Sequence, residues 1–150
     1  MAYIKGRYLN PERGEGYHGS FLGIAAEALS ENDIVIATGY SGDQIKFSKA
    51  DADAAGRRAG VMGVVKHDAS SGSTVVVLSH KLITGVDTSG STAVGYPVYL
   101  SSGTPGAWQT AEGDGVVVGS VLVDHASTGA VLLAPSKVQM SFDGSGDPLP

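Results

Sequence analysis

Val61-Met62-Gly63-Val64-Val65-Lys66-His67-Asp68-Ala69-Ser70-Ser71-Gly72-Ser73-Thr74-Val75-Val76-Val77 is echoed by a second stretch, Val117-Val118-Gly119-Ser120-Val121-Leu122-Val123-Asp124-His125-Ala126-Ser127-Thr128-Gly129-Ala130-Val131-Leu132-Leu133. Each is a β-branched apolar run, an Ala-Ser-(Ser/Thr)-Gly turn and a second apolar run, the pattern of a β-hairpin. A further apolar strand lies upstream of each: Asp33-Ile34-Val35-Ile36 before the first, Tyr96-Pro97-Val98-Tyr99 before the second. Two copies of a strand-plus-hairpin unit closing one small barrel are the architecture this suggests. Chance similarity between two Gly/Val-rich hairpins is the competing account.

On either side of these hairpins the chain is strand after strand. Phe21 to Leu29, Asp33 to Ala37, Ile45 to Ser48, Ala59 to Lys66, Thr74 to Ser79 and Lys81 to Val86 are rich in β formers. So are Ala93 to Leu100, Ala107 to Thr110, Val116 to Val123 and Gly129 to Ala134. Turn clusters separate them, among them Ser30-Glu31-Asn32, Gly39-Tyr40-Ser41-Gly42-Asp43 and Ser101-Ser102-Gly103-Thr104-Pro105-Gly106. Residues 49–58 are the one place for a short helix, with Ser48 as N-cap and Gly56 near its end; a loop is the alternative. The expected fold is all-β, a small barrel or sandwich of short antiparallel strands.

Composition agrees. The 150 residues suit one domain with a core of its own. Twenty-two glycines beside many Val, Ser and Thr, with only 3 Phe and 1 Trp, describe short strands and frequent turns. There is no cysteine, so neither a disulfide nor a thiolate metal site holds the fold. No stretch has the roughly 18 consecutive apolar residues of a membrane helix, and Met1-Ala2-Tyr3-Ile4-Lys5-Gly6-Arg7 lacks the apolar centre of a secretion signal. The expectation is synthesis and use without membrane passage. The net charge of −5 argues against general nucleic-acid binding, which needs Lys and Arg to displace phosphate counterions. Residues 1–66 are balanced in charge, and residues 67–150 hold only Lys81 and Lys137 against seven acidic groups. An acidic surface is therefore expected from the second half.

The ends read differently from the middle. Residues 1–20 set Tyr3, Ile4, Tyr8, Leu9 and Tyr17 among Lys5, Arg7, Arg13 and Pro11, with no lasting period. This is either a frayed terminus or an arm that adds a strand to a neighbour's sheet edge. Residues 21–138 form the expected domain, and 139–150 have linker composition.

Little in the chain carries chemistry. Gly19-Ser20, Gly72-Ser73 and Gly119-Ser120 lack the second glycine of a nucleophile elbow, and Asp143-Gly144-Ser145-Gly146 stands in the tail. No phosphate-binding glycine loop occurs. His67 and His125 sit in the two hairpins beside Asp68 and Asp124; they are either turn residues or a divalent-cation pair, and spacing cannot supply the convergence a metal needs. His18 and His80 have no partner in sequence. Asp143 to Asp147 lacks the later glutamate of a calcium loop. Asp51, Asp53, Arg57 and Arg58 read as solvated loop charges. No catalysis, metal or cofactor is expected.

The succession Ser30-Glu31-Asn32-Asp33-Ile34-Val35, Ala59-Gly60-Val61-Met62-Gly63-Val64-Val65, Gly72-Ser73-Thr74-Val75-Val76-Val77, Val94-Gly95-Tyr96-Pro97-Val98-Tyr99-Leu100, Val118-Gly119-Ser120-Val121-Leu122 and Gly129-Ala130-Val131-Leu132-Leu133 resembles the decoration, or cement, proteins of tailed-phage capsids. The resemblance spans about residues 28–135. Family members commonly open the early strand with Gly-Asp, where this chain has Asn32-Asp33. The resemblance implies a structural, non-enzymatic homotrimer, made in the host cytoplasm, that binds the outer capsid surface and stabilises the mature shell. Its partner would be the major capsid protein, with no nucleic acid and no membrane. The arm residues Tyr3, Ile4, Tyr8 and Leu9 would be the capsid anchors, and Lys5 and Arg7 would meet acidic capsid groups. Two other readings stay open. One is a glycan-binding adhesin or fibre-associated module, with Trp108, Tyr96 and Tyr99 as a stacking platform. The other is a trimeric nucleotide hydrolase, which needs an ordered set of carboxylates.

Overall fold

The computed structural model describes residues 19–58, 60, 62–90, 93–112 and 115–135. Ten strands run through them: β1 (Ser20–Ala25), β2 (Ile34–Ser41), β3 (Gln44–Lys49), β4 (Met62–Val65), β5 (Thr74–Leu78), β6 (Lys81–Val86), β7 (Pro97–Leu100), β8 (Trp108–Gln109), β9 (Val117–Val123) and β10 (Gly129–Leu133). The all-β expectation holds, and each of the ten expected strands has its counterpart. Three boundaries differ most. β1 stops at Ala25, short of Leu29: Ala26 N–H still donates to the Phe47 carbonyl, but further along β3 the Lys49 amide is taken by the Glu27 carboxylate. β2 runs on through Tyr40 to Ser41, leaving a turn of Gly42 and Asp43. β7 begins only at Pro97, a strand-opening position that needs no backbone donor.

The helix considered for residues 49–58 is absent. Only a 3₁₀ turn forms, Ala55–Arg57, and Ala54 precedes it without a side-chain cap. Ser48 is a buried β3 residue whose hydroxyl bonds the Thr38 hydroxyl at 2.9 Å, so it caps nothing.

β1 to β5 close into a barrel in the order β1-β3-β2-β4-β5, and β6 to β10 form an open sheet in the order β6-β10-β9-β7-β8. Written from β1 round the ring as β1-β5-β4-β2-β3, the first order matches the second strand for strand. The pairings agree in direction too: β1·β5, β5·β4, β4·β2 and β2·β3 are antiparallel, as are β6·β10, β10·β9, β9·β7 and β7·β8. The repeat therefore takes in five strands per copy, not three. The copies do not join in one barrel as the hairpins alone suggest; the first closes on itself through a parallel β1·β3 pair, and the second stays open.

Register agrees in two of the pairings with Gly63 set on Gly119 and Val75 on Val131, and differs by two residues in the hairpins, where Val65 opposes Val77 but Val121 opposes Val131. Val35 opposes Gly63 and Val98 opposes Gly119; Gly23 opposes Val75 and Ile83 opposes Val131. Both hairpin glycines have one task, allowing the neighbouring strand to come close. A Cβ on Gly63 would meet a Val77 methyl and, at 2.8 Å, the Leu78 carbonyl; one on Gly119 would run into the Leu132 carbonyl.

Two apolar layers result. Val35, Phe47, Val65, Val75 and Val77 fill the barrel with Ala25, Leu29 and Ala69. The opposite face of the same strands carries Ile34, Ile36, Met62 and Val64, which pack with Val98, Leu100, Val121, Val131 and Leu133 of the second copy. β2 and β4 are thus apolar on both faces, as their unbroken apolar runs require. Val98, Val121, Val131 and Leu133 are the second copy's counterparts of Val35, Val65, Val75 and Val77. The open copy therefore fills its would-be interior with the outside of the closed one. The β7–β8 connection adds polar ties: the Gly106 carbonyl accepts from Ile34 N–H and the Gly106 N–H donates to the Ala50 carbonyl, each at 2.8 Å.

Candidate functional site

The arm residues Tyr3, Ile4, Lys5, Arg7, Tyr8 and Leu9, along with Tyr17, His18 and the Asp143–Asp147 tail, lie outside the described residues. Within them, the charged groups singled out in the sequence resolve into structural ties. His67 Nδ1 lies 3.1 Å from its neighbour's carbonyl, while the Asp68 carboxylate accepts from Glu31 N–H at 2.8 Å, so the pair does not act together. His125 Nδ1 accepts from the amides of Ser127 and Thr128 at 3.1 Å, organising the β9–β10 turn. At the constant spacing that puts Gly63 on Gly119, Ala69 takes the place of His125, so the two histidines are not equivalent. No group of three or more His, Asp or Glu gathers at one point among the described residues.

Asp51 accepts from the Asp53 amide at 3.0 Å. Glu27 accepts from Lys49 N–H at 3.0 Å and pairs with the Arg57 guanidinium at 3.3 Å, fastening the 3₁₀ turn to the barrel. The Glu27 and Arg57 side chains are well exposed, so the pair adds little to stability. The hydrogen bond from the Ser89 hydroxyl, with one from the Ser89 amide, holds the exposed Asp87 carboxyl below its usual range.

Asn32 has a φ of 72°, in the left-handed region that glycine enters freely and asparagine tolerates best among the others. The Asp33 carboxylate accepts from Ser30 N–H at 2.8 Å and completes this turn.

Two surfaces remain that could meet a partner. The first is the outer face of the second copy. Leu82 opposes Leu132, Leu132 opposes Ser120 and Ser120 opposes Pro97, which sets one uncharged row across four strands. Leu82 is 55% exposed, and Leu122 and Val123 stand open beside the row at the Ala130/Val131 irregularity. The matching face of the first copy is the one buried between the copies. The β2–β3 hairpin tip adds Tyr40, 80% exposed, with Ile45 opposite it. In the sequence Tyr40 belongs to a turn cluster and is not singled out; an aromatic side chain inside such a cluster is the signal that could have found it.

The second surface is a cleft of about 270 Å³ at one end of β7, lined by Gly90, Tyr96, Pro97, Tyr99, Thr110 and Glu112. The structure brings Tyr96 and Tyr99 together here, and separates them from Trp108, which packs against the layer between the copies. Strand alternation is the cause. Trp108 opposes Leu100, a core residue, while Tyr99 opposes Gln109 on the other face. Gln109 also stiffens the rim: its Oε1 accepts from Ser102 N–H at 3.1 Å and its Nε2 donates to the Ala111 carbonyl at 2.8 Å.

No protein-family model matches the chain, and no curated protein does. Among solved structures, the chain is similar to the N base of the head fiber gp8.5 of bacteriophage phi29, with 18% identity over 81% of this chain and 97% of that one, at a TM-score of 0.49.

Proposed function

We propose that this protein is a structural component of a phage virion, which binds the outer face of the capsid and stabilises the mature shell without catalysing a reaction. The observation that carries the reading is the uncharged row across the outer face of the second copy. Leu82, Leu122 and Val123 lie open on a sheet whose first-copy counterpart is covered. Grouped exposed apolar side chains mark a surface made for a macromolecular partner. The row Leu82-Leu132-Ser120-Pro97 offers no charge for an acidic or basic partner to recognise, which suits contact between copies of this chain in a homotrimer. The arm, with Tyr3, Ile4, Tyr8 and Leu9 as anchors and Lys5 and Arg7 as cations, then serves the major capsid protein. Such a protein acts through binding free energy: contacts available only on the mature shell stabilise that shell by mass action. Contacts repeated around a trimer reinforce one another through effective concentration.

The test is size-exclusion chromatography with light scattering, first on the protein alone and then with undecorated phage heads. The expected result is a trimer that co-elutes with heads. Leu82→Glu with Leu122→Glu should reduce it to a monomer, and removal of residues 2–17 should abolish head binding while the fold persists. A monomer that ignores heads overturns the proposal.

A further inference from the structure

We infer that the cleft between Tyr96, Tyr99 and Glu112 is a binding site for one neutral pyranose ring. The cleft lies at the β7 end of the row offered above for contact between copies and shares Pro97 with it.

Size limits the occupant first. At about 270 Å³ the cleft falls just below the ~300–1,000 Å³ of sites for drug-sized ligands, so a single sugar ring suits it better than a longer ligand. Its walls come from elements held in place. Tyr99 and Pro97 belong to β7, which pairs with β8 on one side and β9 on the other. The Tyr96 carbonyl accepts from Val121 N–H at 2.9 Å, and the Gly95 amide donates to the Val121 carbonyl at 2.8 Å. Ala111, next to Glu112, is held by Gln109. At the far wall, Gly90 comes so near Thr110 that an added Cβ would lie 2.9 Å from its hydroxyl.

Chemistry follows from the lining. Two tyrosines and a proline give an apolar floor, and the negative face of an aromatic ring attracts the weakly positive C–H edge of a pyranose. The Thr110 hydroxyl and the Glu112 carboxylate supply a donor and acceptors for sugar hydroxyls. Among the described lining residues there is no Lys, Arg or His, and Glu112 brings a negative charge. An anionic sugar would therefore enter against like charge with no cation to receive it, and the neutral class is selected.

The experiment is an NMR titration of the full-length protein, following the ring signals of Tyr96 and Tyr99. The probes are methyl β-D-glucopyranoside, methyl β-D-galactopyranoside, methyl α-D-mannopyranoside and N-acetylglucosamine. Sialic acid serves as the anionic control, and the tripeptide Pro-Leu-Pro as a competitor for an aromatic groove. At least one neutral sugar should shift both tyrosines saturably. Tyr96→Ala and Tyr99→Ala should each weaken that binding about tenfold, and Tyr96→Phe should keep it. Trp108→Phe, on the opposite face, should leave it unchanged. No saturable shift from any of the four overturns the inference, as does equal binding of sialic acid. Saturation by Pro-Leu-Pro alone overturns it in favour of a peptide groove.

Discussion

The two copies of the five-stranded unit share order and direction, yet one closes and the other does not. One of their differences lies at a single pair of positions. Gly23 lies on the seam of the first copy, opposite Val75 on one side and Ile45 on the other. A Cβ there would stand 2.5 Å from the Ile45 carbonyl and 2.7 Å from the Phe47 ring, so closure depends on a bare backbone. The second copy has Ile83 at the same register. Its side chain is buried in the layer between the copies. β8, only two residues long, offers little edge for closure in any case. The same topology thus gives a barrel or a cupped sheet according to the bulk at its seam, and an open copy is stable when something else fills it.

A second contrast lies at the hairpin turns. In the first copy, Leu29 and Ala69 exchange two backbone hydrogen bonds, at 2.8 and 2.9 Å. In the second, Thr88 N–H still donates to the His125 carbonyl at 2.9 Å, but the return bond from the His125 amide goes to the Thr88 hydroxyl. That hydroxyl in turn donates to the Val123 carbonyl at 2.7 Å. A buried threonine side chain does in the open copy what backbone alone does in the closed one.

The equivalence of the copies is most vulnerable at the hairpin glycines. Gly63→Ala and Gly119→Ala should each destabilise the protein by roughly 3 kcal/mol, the upper range for overpacking, since each new Cβ meets backbone that cannot move away alone. Chemical denaturation measures both, and a tolerated Gly119→Ala would mean that the copies are not equivalent there. The seam pair probes their difference from both sides, because opposite changes of size should both cause harm. Gly23→Ala should cost about 2 kcal/mol by crowding the β1·β3 seam, and Ile83→Ala about 2 kcal/mol or more by leaving a cavity between the copies. If Gly23→Ala leaves the thermal midpoint unmoved, closure does not rest on that residue. The smallest effect belongs to the early turn at Asn32. Asn32→Gly should be neutral or slightly stabilising in the same thermal melts, since it suits the positive φ and removes a buried side-chain oxygen that has no hydrogen-bond partner. Asn32→Ala should cost about 1–2 kcal/mol.

Much of the fold is legible in the residues themselves. Short runs of β-branched, aromatic and other apolar residues between turn clusters mark the ten strands, because strand preference and turn chemistry are local properties. The hairpins reveal the repeat for the same reason. That the repeat extends to β1 and β6 is hidden, since Phe21-Leu22-Gly23 and Lys81-Leu82-Ile83 have little in common until pairing with β5 and β10 aligns them. Open against closed is hidden as well, because a seam is a contact between distant strands. At the sites, the sequence points to Tyr96 and Tyr99 but sets Trp108 beside them. Alternation on a two-residue strand is too short a pattern to assign a face. The candidate metal pair dissolves because His67, Asp68 and His125 each meet a nearby amide or carbonyl first.

The nesting of one copy in the other also fixes an order of assembly. Residues 20–78 can complete a ring and fill it from within that segment, whereas the later five strands have no interior until the earlier ring supplies its outer face. During synthesis the earlier segment is also the first to be released, so the chain makes its own template before the part that needs it. Pulse-labelled hydrogen exchange during refolding should accordingly protect the amides of Val35 and Val65 before those of Val98 and Val121.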